Sequence, residues 1–326
     1  MRDARGKKVR GGMTIPFFDE LEKASTVLIA GAGGGFDVFC GLPIYFWLRS
    51  SGRTVHLANL SSGALSFCDA EHPATALWEI TSHTNADKYF PEMHLANWLS
   101  QRFGETPVYA VEPSGARPVR EAYEWLAEEL QPDTIILVDG GTDSLMQGDE
   151  AGLATPEGDA VSLAAAQDLK GIERKLLVCL GFGVDTHHGV CHAHFLENVA
   201  ALSRLEAYLG AWSLSHEAKE AKLYREACEF TFVRLPQQAS IVNTSILAAV
   251  AGSFGDIHST KRTEGSKLFI NPLMALYWGF RLEAVAGRNL YLPNIRDTET
   301  AGEVALAIER FRDTLPAIRP WAPMPV

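Results

Sequence analysis

The stretch TVLIAGAGGGFD, Thr26–Asp37, decides the fold. Its first five residues are an unbroken apolar run, long enough for a buried strand and too short for a helix. Glycines at 31, 33, 34 and 35 end the run, and a mostly apolar helical stretch follows over Phe36–Arg49, kinked near Pro43. A strand that is apolar at every position must be covered on both faces, which is the situation of a parallel sheet flanked by helices.

The same alternation extends along the chain. Strands are expected at Thr54–Asn59, Ala76–Thr81, Pro107–Val111, Thr134–Val138 and Lys175–Leu180. Helices are expected at Pro91–Phe103, Arg117–Leu130 and Pro156–Gly171, and from Phe195 to Leu209, where apolar residues recur every three to four positions. Further helices are expected near Glu217–Phe232 and Ser240–Ala251. A strand at Lys267–Asn271, a helix from Pro272 to Ala286 and a last helix at Glu303–Leu315 follow. The expected fold class is α/β: a doubly wound, largely parallel sheet with helices on both faces, a Rossmann-like three-layer arrangement with a helix-rich C-terminal third. No Pro/Gly/Ser linker interrupts it, so residues 13–326 are expected to form a single α/β domain. Residues 1–12 carry five Lys or Arg and read as a disordered or mis-annotated extension, with Met13 as the alternative start.

Composition narrows the function. The chain has 326 residues, 47% of them hydrophobic, and a net charge of −11. That acidity argues against nucleic acid and against anionic membranes as partners, because both need a basic face. The five cysteines are scattered and form no CxxC pair, so neither a disulfide framework nor a zinc ribbon is expected, and a reducing cytoplasm is the natural setting. A small-molecule substrate is the expected partner, with a homo-oligomer expected only on base rate.

In open α/β sheets, ligands bind beyond the carboxyl ends of the strands. Three loops there concentrate glycine and polar residues. In the first, Gly33, Gly34, Gly35 and Asp37 are candidate ligand contacts, joined by Asn59 at the end of the next strand. Backbone N–H groups in such a loop suit an anion. However, the dinucleotide pattern GxGxxG would need glycine where Phe36 stands, and Asn59 replaces the expected acid. A tight strand–helix turn is the simpler use of the same glycines. The second loop, VDGGTDSLMQGDE over Val138–Glu150, holds four carboxylates and no Lys or Arg. Asp139 and Asp143 are candidate catalytic residues, and Gly140, Gly141 and Thr142 candidate ligand contacts; a solvated acidic loop is the plainer alternative. The third holds four of the ten histidines within His187–His194, beside Asp185. Asp185, His187, His188 and His192 are candidate metal ligands, and His188 and His192 also candidate catalytic bases. Capping or packing histidines would look the same, and HExxH is absent.

Together, LIAGAGGGFDV and VDGGTDSLMQGDE resemble a domain-of-unknown-function family, number 1152. The resemblance implies an α/β domain from about Ser25 to the last helices, with the first two loops at one site. It implies no activity.

On the residues alone, the expected function is a metal-assisted hydrolase, lyase or transferase acting on a small polar or anionic substrate, with zinc, manganese or magnesium as cofactor. One alternative is a Rossmann-type enzyme using NAD(P) or S-adenosylmethionine, with NAD(P) the less expected cofactor. The other is a non-catalytic small-molecule-binding protein.

Overall fold

The computed structural model describes residues 14–86, 88–266 and 268–324, so the reading of residues 1–12 falls outside it. Eleven strands are present among these residues: β1 (Thr26–Gly31), β2 (Thr54–Leu60), β3 (Glu71–Ala74), β4 (Leu77–Ile80), β5 (Val108–Val111), β6 (Thr134–Asp139), β7 (Arg174–Leu180), β8 (Tyr208–Ser213), β9 (Gly255–Asp256), β10 (Phe269–Ile270) and β11 (Leu276–Arg281). Nine of them make one sheet in the order β3-β4-β5-β2-β1-β6-β7-β11-β8, and β9 and β10 pair separately. The central β5, β2, β1, β6 and β7 run parallel, while both edges are antiparallel.

Side chains along β1 alternate between two cores. Val27 and Ile29 pack with the helices over 37–50, 91–103 and 219–234, while Leu28 and Ala30 pack with those over 116–130, 156–168 and 192–204. This two-sided burial is why β1 and β6 are apolar at nearly every position. The helix Lys219–Arg234 contributes Tyr224 and Cys228 to the first of these cores, so the helix-rich segment packs directly on the sheet.

Strand order reverses at β1: β2 lies on one side and β6 on the other. The crevice beyond their carboxyl ends is therefore the topological switch point, where ligands bind in such sheets. Register brings Gly31 opposite Asn59 and Val138, and Asp139 opposite Cys179, so these strand ends share one rim.

The C-terminal third departs from the expected elements. The helix expected over Pro272–Ala286 is instead a 3-10 turn at Pro272–Ala275, β11 at Leu276–Arg281 and a short helix at Leu282–Ala286. LYWGFR is rich in aromatic residues that favour a pleated surface, and it pairs with the open edge of β7. Its Gly279 is needed, because a Cβ there would stand 2.8 Å from the ring of Phe17. Leu209 belongs to β8, since the helix His192–Arg204 ends earlier. The expected 267–271 strand shrinks to β10, and Lys267 lies outside the described residues. The helix expected over Phe36–Arg49 is two pieces, Asp37–Cys40 and Leu42–Ser50, separated by Gly41.

Candidate functional site

The glycine loop after β1 closes on a side chain of its own chain. The Gly33 N–H donates to Asp37 Oδ2 at 2.7 Å, and the Gly35 N–H donates to Ser62 Oγ at 3.2 Å. Gly34 and Gly35 have φ of +107° and +60°, which lets the loop curl this tightly. An anion-binding cradle was the expectation; here the Asp37 carboxylate takes that place. Asn59 stands behind the loop, fully buried. Its Oδ1 accepts from the Val38 N–H, and its Nδ2 donates to Gly35 O and to Glu92 Oε1 at 2.7 Å.

The loop after β6 brings two more acids. Asp139 Oδ2 accepts from Ser144 Oγ at 2.5 Å and from its N–H at 3.1 Å, and Asp143 accepts from the Thr155 N–H at 3.3 Å. Gly140 and Gly141 leave room for carboxylates: a Cβ would stand 2.5 Å from Asp37 Oδ1 at the first and 2.5 Å from Asp185 Oδ2 at the second. Thr142 holds Asp185 from behind, its N–H donating to Oδ2 at 2.7 Å and its hydroxyl at 3.4 Å.

A fifth acid, Asp159, comes from the first turn of the helix Pro156–Asp168. Sequence reasoning missed it because an acid in a first helical turn ordinarily reads as a partner for the helix dipole. The available signal was its setting in an otherwise small and apolar run, DAVSLAAA. Asp159 is 3% exposed, and its Oδ1 has no hydrogen-bond partner. Oxygens of Asp37, Asp139 and Asp159 lie within 4.8 Å of one another, close enough to share one cation.

All five acids line a single cavity of about 470 Å³ at the switch point. Burial, reinforced by the neighbouring Asp143, pushes Asp37 up to about 7. Burial likewise raises Asp139, Asp159 and Asp185 well above the carboxylate range, with repulsion from Asp143 adding to each. Asp143 is raised for the same primary reason. Acids in this state ionise together only when positive charge enters among them.

The histidine segment divides. Asp185, His187 and His188 sit on a 3-10 turn, Val184–His188, and line the cavity. His187 Nδ1 lies 2.6 Å from Val184 O; a carbonyl only accepts, so Nδ1 carries the proton and Nε2 a free lone pair. That Nε2 is buried without a partner. The His188 ring lies tilted against that of His187, with centroids 3.8 Å apart, and burial followed by His187 and Arg262 lowers its pKa. His192 is placed elsewhere: it opens the next helix, with Nε2 2.9 Å from Thr186 Oγ1 and its ring over Phe182, and it is absent from the cavity lining.

Also missed in the sequence, Gln238, Ser240, Ile241, Val242 and Arg262 complete the lining. Ser240 caps the helix Ile241–Val250 by accepting from the Asn243 N–H at 3.1 Å.

A family model described as "Protein of unknown function (DUF1152)" matches residues 64–312. The matched span includes the β6 loop, Asp159 and the histidine turn, and begins beyond the glycine loop. No curated protein and no solved structure matches the chain.

Proposed function

We propose that this chain, which belongs to the DUF1152 family, is an enzyme that uses a divalent cation to act on a small polar or anionic substrate at the switch point. The observation that carries this is Asp159 Oδ1, a buried oxygen without a donor beside Asp37 and Asp139. Buried polar atoms are almost always satisfied, and one left idle among other carboxylates is poised for a cation. An all-oxygen donor set of this kind suits magnesium or manganese better than zinc. A divalent ion there would lower the pKa of a coordinated water below its bulk value of about 16, by less for magnesium or manganese than for zinc. His187 is the proton acceptor of this reading, because it lines the same cavity and its buried Nε2 has no partner.

The reaction class stays broad, covering hydrolysis, elimination and group transfer. Nucleotide cofactors are disfavoured by a specific arrangement. In a dinucleotide site, the glycine-loop N–H groups meet the pyrophosphate; here Gly33 donates to Asp37, and further carboxylates crowd the crevice.

The test is manganese binding by electron paramagnetic resonance, with Asp159→Asn as the comparison. The reading expects about one ion per chain in the wild type and at least tenfold weaker binding in the variant. A wild-type protein that binds no divalent ion, or a variant that binds equally well, would overturn it.

A further inference from the structure

The cavity lining holds two chemically opposite groups of residues. Its floor is the cluster of five carboxylates. A second part of the lining, the wall, presents Arg262, whose guanidinium is held by an Nη1 hydrogen bond to Ala239 O at 3.2 Å. Beside it stands the start of the ten-residue helix Ile241–Val250, where Ile241 and Val242 line the cavity. Their N–H groups are first-turn donors with no intrahelical acceptor, and the positive end of the helix dipole adds to the guanidinium. The glycine loop cannot do this work, because its Gly33 and Gly35 N–H groups already serve Asp37 and Ser62. Among the described residues, Arg262 is the one Arg or Lys on the lining, so this wall is where an entering anionic group meets fixed positive charge. Asp159, 3% exposed and on the lining of this cavity, keeps a buried oxygen without a partner, which points to a ligand on the floor.

We infer that the cavity recognises a phosphoryl group, gripped between a divalent cation on the Asp37–Asp139–Asp159 floor and a wall made of Arg262 and the N-terminus of the Ile241–Val250 helix. Three separate receptors, the cation, the guanidinium and the helix N–H groups, match the three terminal oxygens of a phosphoryl group; a carboxylate has two. The cation is indispensable, because without it the floor offers the anion only carboxyl groups, whose protons burial holds on, and no positive charge. The substrate class is then a small phosphorylated metabolite, sized to about 470 Å³. This inference rests on the reading of the floor as a cation site.

The test titrates inorganic phosphate into the full-length protein by calorimetry, with and without saturating Mg2+. Acetate is the comparison anion. Phosphate is expected to bind only when Mg2+ is present, and acetate more weakly. Arg262→Ala is expected to weaken phosphate binding about tenfold or more, the scale of a lost charge-assisted contact, without weakening Mg2+ binding. Arg262→Lys is expected to restore part of the loss, since it returns the charge without the fork. A wild-type protein that binds Mg2+ but not phosphate would overturn the inference and leave the cation reading standing. So would equal phosphate affinity in the wild type and Arg262→Ala, or acetate binding as tightly as phosphate. Failure of Mg2+ to bind would instead overturn the cation reading and this inference with it.

Discussion

Asp159 and Glu92 are both buried acids with one unpartnered oxygen, yet their surroundings give them different consequences. Asp159 faces other carboxylates across the cavity, so without a cation it opposes folding. Asp159→Asn should therefore raise the stability of the metal-free protein by about 1 kcal/mol or more, the usual exchange between a functional site and stability. Chemical denaturation in a chelator measures it, and a loss of stability would contradict the assignment. Glu92 lies away from the cavity, on Asn59, and burial pushes it up to about 7 from 4.5. Between those values the folded chain keeps a proton that the unfolded chain has released, so the contribution of Glu92 is most favourable at low pH and is lost as pH rises from about 4.5 to about 7. The full change is on the order of 3 kcal/mol. Glu92→Gln keeps an oxygen for Asn59 and should remove the share of the slope that Glu92 contributes, the cavity acids keeping theirs, and leave the variant more stable than the wild type at pH 8. Parallel pH profiles for the two proteins would refute it.

Loops and helices differed in how much of the site their sequence revealed. Gly31–Asp37 and Asp139–Glu150 were legible because glycines and acids interrupt apolar strands where α/β sheets bind ligands. Asp185 and His187 were legible for a similar reason, as titratable residues crowded after β7. Their partners were only partly so. His192 has the same side chain as His187, but a helix start turns it toward Phe182 and Thr186. Asp159 and Arg262 reach the cavity from a helix and from a distant turn, and no local pattern encodes that approach. The close fit of the β6 loop gives its own prediction. Gly140→Ala would place a Cβ 2.5 Å from Asp37 Oδ1. The Asp37 side chain must then swing away, so divalent-ion affinity should fall about tenfold while the fold is retained, as read by manganese binding beside circular dichroism. Unchanged affinity would show that Asp37 is not a ligand.

Across the whole molecule, the strands of the sheet were legible at its centre and at β4, but not at β3, β8 and β11. Continuous apolar runs marked β1, β6 and β7, whereas β8 and β11 are half-exposed, aromatic-rich strands that resemble helix in a short window. The edge elements matter for the site through the C-terminal tail. Arg319 bonds Asp149 and the fully buried Glu150 at 2.7 and 2.9 Å, while Glu150 accepts the Gln147 and Gly148 N–H groups. The tail thereby closes the far end of the loop that carries Asp139 and Asp143. Arg319→Ala would leave Glu150 without its cation and should cost about 2–3 kcal/mol. A shift in the urea midpoint with an unchanged slope would register that cost, and an unmoved midpoint would contradict it. No helix among the described residues is long and apolar enough to cross a membrane. The net charge of −11 includes five acids gathered in one cavity, which makes part of the acidity a local property of the site.

All of these scales meet in whether a divalent ion occupies the floor of that cavity. The most direct measurement is the manganese titration of the wild-type protein beside Asp159→Asn. The account predicts about one site per chain in the wild type, displaced by Mg2+, and at least tenfold weaker binding in the variant. No saturable binding by the wild type, or equal binding by both proteins, would contradict it.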